Sequence, residues 1–489
     1  MGIEIDKTSF ASSDYQRFNN ALQENLDVLE GLLATPGFGS GAGSIGAELE
    51  MYIVDQHGHP LHLNQEICDA AGDAQLSVEL NRYNLEYNLT PHALGDGPFA
   101  ATEQEILTKL AQLGKVAAEF GGRIVPIGIL PTLRPSDFGA HCITDRKRYH
   151  ALVSQLLRRS SHFRIDIDGE DPLQLDMADI TLEGANTSFQ IHYRVLPQLF
   201  ADTFNAIQLV TPLALAVGAN SPTLFGHNLW QETRIPLFKQ SIDTRQVDRY
   251  TWNEPARVNF GQGWVRHGAL ELFAEVARVY PPLLPVCSPR PGLKEGGAPA
   301  LAELRLHQST VWLWNRPVYD SADGGHLRIE MRALPAGPTA VDMAANAAFL
   351  IGLAEGMRPD INSVLPAIPF AIAEYNFYRA AQHGLDARLV WPDNRRSGYE
   401  EQAVTAIIEH LLPTAREGLE SIGIAPGEVA RYLGVIAHRL ERRQTGATWQ
   451  RAKLASLKQS MPMKAALHGM LEEFIARSRE NLPVAEWQL

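Results

Sequence analysis

The chain has 489 residues, 45% hydrophobic and 20% charged, a globular composition long enough for one large domain with accessories or for two to three domains. Its formal net charge of −13 argues against a nucleic-acid-binding footprint, although 43 Lys and Arg remain to line local pockets. Cys68, Cys142 and Cys287 show no CxxC spacing, which argues against a disulfide framework or a structural zinc site and for a reducing, cytoplasmic setting. The N-terminus lacks the charged start and apolar run of a secretory signal, and the most apolar stretch, LVTPLALAVGA (209–219), is short of the ~20 residues of a membrane span.

Residues 14–34 carry Phe18, Leu22, Leu26, Leu29 and Leu33 at helical spacing. GAGSIG (41–46) matches the phosphate-cradling G-x-G-x-x-G, but here the glycines follow a helix and enter a strand, the reverse of the order that mechanism needs; an entry loop is expected. GAELEMYIVD (46–55) alternates cleanly, with Ala47, Leu49, Met51 and Ile53 on one side and Glu48, Glu50, Tyr52 and Val54 on the other. VELNRYNLEYNLTP (78–91) reads as a second extended stretch bearing Glu79 and Glu86. Residues 102–122 predict a helix capped by Thr102 with Glu105 three residues on, followed by a strand over 123–130 and a helix over 145–159. DIDGEDP (166–172) lacks the Glu of a calcium loop and reads as a turn. TSFQIHYRV (187–195) sets Gln190, His192 and Arg194 against Phe189, Ile191 and Tyr193. A long buried helix should run to about 219, and 221–325 reads as irregular. HLRIEMRAL (326–334) sets Arg328, Glu330 and Arg332 against Leu327, Ile329 and Met331, before a helix over 341–357. Helical patterns dominate after 395, with a boundary expected at 394–402. The expected regions are therefore 1–45, an N-terminal helix and entry loop; 46–395, the main domain; and 396–489, a C-terminal helical region. Helices interleaved with half-polar strands predict an α+β fold, an antiparallel sheet covered by helices on one face.

Any one of these strands could be a solvated sheet face. Together they concentrate Glu, His and Arg where Thr, Lys and Ser are usual, and Glu is a poor strand former. Carboxylates with an imidazole suit Mg²⁺ or Mn²⁺ better than zinc, and so many acids exceed the needs of one ion, so two or three are expected. Arginines on the same face suit phosphate or carboxylate oxygens, and the combination reads as nucleoside triphosphate chemistry. The sequence shows no G-x-S-x-G and no cysteine in a recognisable catalytic context.

The ordered set GAELEM (46–51), LNRYNLEYNLTP (80–91), DRKRYHAL (145–152), SFQIHYRV (188–195), GANSPTLFGH (218–227), HQSTVWLWNRP (307–317) and RIEMRALP (328–335) resembles the glutamate–cysteine ligase superfamily, in particular bacterial carboxylate–amine ligases and plant-type glutamate–cysteine ligases, over about 46–390. The resemblance implies a glutamine-synthetase-like fold, a curved antiparallel sheet with helices on its convex face and ATP, metals and substrates on the concave one. It implies that Glu48, Glu50, Glu79, Glu86, His192 and Glu330 hold Mg²⁺. Arg332 and Arg234 would face the phosphates and, with Glu330, serve catalysis, while Arg148, Gln190 and His192 would line the substrate and nucleotide side. The implied reaction activates a carboxylate, that of glutamate, as an acyl phosphate at the expense of ATP and joins it to the amine of cysteine or another amino compound. A non-catalytic relative and a metal-dependent phosphohydrolase are the alternatives. Amino acids and ATP are the expected partners, without nucleic acid or membrane, and a homo-oligomer is compatible. The chain departs from the family pattern at IGILPTLRPSD (127–137), at Gln190 in place of a histidine, and in a longer 286–326 region.

Overall fold

Alternation along residues 44–54 produces the central strand of a principal sheet in the computed structural model, which describes residues 4–245, 254–288, 297–392 and 400–489. Its eight strands, numbered in chain order, are β1 (Ser44–Val54), β2 (Leu76–Val78), β3 (Asn84–Asn88), β4 (His92–Ala93), β5 (Arg123–Val125), β6 (Phe189–Val195), β7 (Asn315–Asp320) and β8 (His326–Met331). The order across the sheet is β7-β8-β6-β1-β3-β2, with β4 and β5 pairing to opposite ends of β1, and every pairing is antiparallel.

The apolar side of the sheet, including Leu49, Met51, Leu85, Ile191 and Ile329, joins the largest core. Helix Pro98–Glu119 contributes Ile106 and Leu113 to it, and helices Phe200–Gly218 and Ala340–Met357 are buried almost all round. Segments Pro197–Gly218 and Ala340–Ala367 are long and apolar enough to cross a membrane, but 89% of the apolar 18-residue stretch in each is buried inside the protein, as for helices enclosed by a core. The polar side of β1 changes character along the strand. Beyond Glu48 and Glu50 it presents Tyr52 and Val54, which join a second core built with Trp449, Met470, Phe474 and Trp487 of the C-terminal region. One strand thus links the carboxylates to two separate hydrophobic clusters.

Several expected elements are redrawn by local chemistry. The helix expected over 102–122 begins earlier, with Gly97 at the N-cap and Pro98 in the first turn, where a missing N–H costs nothing. Thr102 lies inside it and donates to the Pro98 carbonyl at 2.7 Å instead of capping. The extended stretch 78–91 is broken, so Glu79 sits in the turn between β2 and β3. Only Arg123–Val125 of 123–130 is strand; beyond it Gly128 offers its carbonyl to the Thr187 N–H at 3.0 Å. The region read as irregular contains helices Arg234–Ser241, Ala269–Val279 and Ala302–Gln308 and strand β7, whose Pro317 is tolerated because β7 is a sheet edge.

The boundary expected at 394–402 falls mostly on residues outside those described. After it, helix Val404–Ser421 packs against Ala340–Met357 so closely that a Cβ on Gly418 would strike the Gly352 carbonyl. Helix Pro426–Arg442 sends Arg439, 1% exposed, into the interior, where it donates to Asp342 at 2.8 Å, to Asn346 at 2.6 Å and to the Val217 carbonyl at 3.1 Å. Removing one partner of such a pair strands a buried charge. Asp342→Ala should therefore lower the unfolding free energy by about 3–5 kcal/mol, read as a lower urea midpoint at unchanged slope.

Candidate active site

Register determines which polar side chains of the sheet meet. Glu50 of β1 stands opposite Glu86 of β3, and Glu48 opposite Gln190 of β6. His192 of β6 stands opposite Glu330 of β8, itself opposite Arg316 of β7. Two sets of metal-competent atoms result, Glu48 with His192 and Glu330, and Glu50 with Glu79 and Glu86, each within 4.8 Å of one another. All six residues expected to hold metal are thus brought together, in two groups.

The groups differ in how far the protein neutralises them. Glu330, 1% exposed, receives Arg316 Nε and Nη2 at 2.8 and 2.9 Å and a further bond from Arg332 Nη1. Burial opposes its ionisation, yet Arg316 and Arg332 hold it down at about 2. Glu48 behaves likewise: burial works against the charge, and His192 beside it keeps the carboxyl well below the usual range. His192 Nε2 lies 3.1 Å from Glu48 Oε1, but neither ring nitrogen has an aligned hydrogen-bond partner.

The second group is under-compensated. Glu50 accepts from the Ser188 N–H at 2.6 Å, the Ser188 hydroxyl at 2.9 Å and Gln190 Nε2 at 2.9 Å, yet burial and Glu86 push it up to about 7. Burial, Glu86 and Glu50 raise Glu79 well above its ordinary value, and burial with Glu48 raises Glu86. Buried carboxylates that repel one another, and an imidazole with no aligned partner, form a donor set that fits hard divalent cations.

Glu48 and Arg316 line two cavities. One, of about 490 Å³, is bordered by the Glu50 group with Arg148, Gln190 and Arg332; the other, of about 300 Å³, by His192, Glu330, Arg305, Gln308 and Arg328. Gln190 connects the halves, donating to Glu50 while accepting from Arg332 Nη1. Arg148 donates to Ser309 Oγ at 3.0 Å and lines the larger cavity. Arg234 is placed differently from the expectation that it faces phosphates. It is 2% exposed, donates to Glu232 and the Ala333 carbonyl at 3.1 Å each, and is not among the lining residues; it acts on Glu50 through its charge.

Sequence reasoning missed four contributors. Glu183, in the 3₁₀ turn Thr181–Ala185, faces the larger cavity, pushed up to about 8 by burial and Glu50; no alternation marks such a turn. Glu232, the fully buried partner of Arg234, carries no pattern either. Gln308 is 5% exposed with both amide atoms unpartnered and lines the smaller cavity. Arg316 could have been found, since β7 alternates buried and half-buried residues along Asn315–Asp320.

An antiparallel sheet with grouped carboxylates and arginines on one face defines a site for metal-dependent work on phosphorylated or carboxylated substrates. Residues 44–476 match the family model "Glutamate-cysteine ligase family 2(GCS2)", and the chain belongs to that family of ATP-dependent carboxylate–amine ligases. The match runs well past residue 390, where the motif resemblance ends, and takes in most of the C-terminal helices. A Frankia alni protein provisionally named glutamate–cysteine ligase 2-1 is 21% identical over 457 residues, 90% of this chain and 97% of that one. Among solved structures, a bifunctional glutathione synthetase from Pasteurella multocida aligns with a TM-score of 0.49 at 12% identity, over 95% of this chain and 55% of its own. A glutamate–cysteine ligase from Francisella tularensis in complex with AMP aligns with a TM-score of 0.46 at 12% identity, over 92% and 95%.

The raised carboxyls give the metal-free protein a signed pH dependence. Glu50 and Glu183 titrate at about 7 and about 8 when folded, against 4.5 ordinarily, so between those values the folded chain binds more protons than the unfolded one. Stability then falls as pH rises through that window. The depressed Glu48 and Glu330 act only below about 4.5. A cation that replaces the protons should raise the melting temperature more at about pH 8 than at about pH 5.5. Differential scanning fluorimetry with and without Mg²⁺ checks this, and Glu50→Gln should flatten the metal-free slope.

Proposed function

We propose that the site phosphorylates the γ-carboxylate of glutamate with Mg–ATP and joins the resulting acyl group to the amine of cysteine. A carboxylate oxygen attacks the γ-phosphorus, the bond to the bridging oxygen breaks, and ADP leaves. The amine nitrogen then attacks the acyl phosphate carbon, loses its proton, and phosphate departs as the amide forms. Glu48, His192 and Glu330 would hold one divalent ion and Glu50, Glu79 and Glu86 another, and these ions would supply charge neutralisation at the phosphates.

The chain's own groups bind and orient. The observation that carries the reading is the bridge from Glu50 through Gln190 to Arg332 and Glu330, which ties an arginine lining the larger cavity to both carboxylate groups. A guanidinium held there presents its remaining N–H groups where charge develops on a transferring phosphoryl or on the acyl oxygen, without reorganising. Arg148 offers a cation for a substrate carboxylate in the larger cavity, and Gln308 offers a buried donor and acceptor to a base edge in the smaller one.

Glu50→Gln and Glu330→Gln should each abolish ADP formation, by about 10³-fold or more, with folding checked by melting. Glu50→Gln removes a buried repulsion, so it should fold at least as well as the parent without metal. Phosphate release from Mg–ATP over a matrix of acids and amines should be greatest with glutamate and cysteine together. Full turnover in both variants would sink the reading, and ADP release indifferent to the amine would replace it with phosphohydrolysis.

A further inference from the structure

A separate, chemically different cavity lies where the turn after β1 meets the start of helix Met463–Glu480. Its volume is about 920 Å³, within the range of small-molecule sites, and it shares no lining residue with the carboxylate cavities. Part of its wall is apolar, from Leu133, Phe225, Met463 and Leu467. The charged or titratable side chains that line it are all basic: His57, His59, Arg134, Lys464 and His468. In a chain of net charge −13 that sign is not the default.

The acids nearest this wall are committed elsewhere. Asp55 accepts the His57 and His59 backbone N–H groups at 2.8 Å each, Asp137 accepts the Arg134 N–H at 2.8 Å, and Glu472 pairs with Arg123 at 2.8 Å while standing 3.9 Å from His468 Nδ1 of the cavity wall. Among the described residues neither Arg134 nor Lys464 forms an ion pair; the half-buried Arg134 guanidinium donates to the His59 ring instead. Helix Met463–Glu480 adds partial positive charge from the same side. Pro462 provides no capping side chain, and the first intrahelical bond is Ala466 N–H to the Pro462 carbonyl, so the uncapped amides belong to cavity-lining residues. Phe225 holds a left-handed backbone conformation, φ 54°, rare for a bulky residue, with its ring edge-on to Phe138.

We infer that this cavity binds a small organic anion, a carboxylate or phosphate head on an aromatic or aliphatic body, with the head at Arg134 and the helix start and the body against Phe225, Met463 and Leu467. The head neutralises an arginine that forms no ion pair among the described residues, and the body covers apolar wall. Neither an inorganic ion nor a neutral hydrocarbon satisfies both.

Isothermal titration of the full chain tests this with phenyl phosphate, benzoate, benzyl alcohol and inorganic phosphate as probes. Phenyl phosphate or benzoate should saturate one site per chain, whichever of the two is tighter identifying the head, and a saturating non-hydrolysable ATP analogue with Mg²⁺ should not displace it. Benzyl alcohol and inorganic phosphate should each bind about tenfold more weakly or worse. Arg134→Gln and Met463→Glu, one removing the cation and one adding a carboxylate, should each weaken the aryl anion by about tenfold while ADP formation is unchanged. Absence of saturable binding by either aryl anion, equal binding of benzyl alcohol, displacement by the nucleotide analogue, or full affinity in both variants would overturn the assignment.

Discussion

The constraint on which the molecule turns is mutual repulsion among carboxylates packed on one face of a buried sheet. Glu48 and Glu50 are two residues apart on one strand, and antiparallel register adds Glu86 opposite Glu50, with Glu79 delivered by the adjoining turn. Left alone, such a face would not stay folded and charged. The protein answers on one side only. Around Glu330 it places Arg316, Arg332 and His192, and the carboxyls there stay ionised. Around Glu50 it provides hydroxyl, amide and backbone donors and, among the described residues, no contacting guanidinium, and burial with mutual repulsion raises the carboxyls there. The two groups are therefore unequal hosts. A cation would meet carboxyls already held low in one group and raised carboxyls in the other, which would make the second the more pH-sensitive half of the site.

The rest of the fold reads as the means of keeping that face in place. β1 carries it, and both hydrophobic clusters grip β1, one through Leu49 and Met51 and the other through Tyr52 and Val54. The C-terminal helices complete the second cluster and, through Arg439 and Asp342, lock the helix Ala340–Met357 that follows the Glu330 strand. Helices remote from the carboxylates in sequence thus hold the backbone to which the carboxylates are attached, as a preorganised site requires.

What the sequence displayed and what it hid follow from period. Side chains that repeat every two residues on a half-buried strand announce themselves, so Glu48, Glu50, His192, Glu330 and Arg332 were visible as one face, and the sheet itself followed from them. Glu79 was visible as an acid but not as a turn residue, because the asparagines around it suit either conformation. Glu183 and Glu232 were invisible: one sits in a single 3₁₀ turn and the other is buried against Arg234 two residues on, and neither lies on an alternating strand. Arg234 was identified by motif but is buried against Glu232 and the Ala333 carbonyl and lines neither cavity, since a motif marks a residue, not which way it turns. Thr102 was read as a cap because the capping pattern was present, but Pro98 four residues earlier offered a cheaper start.

The same division separates chemistry from selectivity. The groups that would handle phosphate lie on strands whose register is fixed by many hydrogen bonds, so their geometry is insensitive to what else the cavity contains. The groups that would choose between acids and amines lie off the sheet: Arg148 and Tyr149 on helix Lys147–Leu157, Glu183 in its turn, and Trp312 beside Arg316. A site that discriminates by pairing buried polar atoms rejects the partner that leaves them unpaired, whereas apolar walls discriminate weakly. The larger cavity has both a guanidinium and a carboxylate beyond those of the two metal-competent groups, so its selectivity should rest on ionic complementarity to an amino acid's head group more than on side-chain shape. Substitution at Arg148 or Glu183 would then change which substrates are joined, while the carboxylate groups on the sheet would continue to decide whether ADP forms at all.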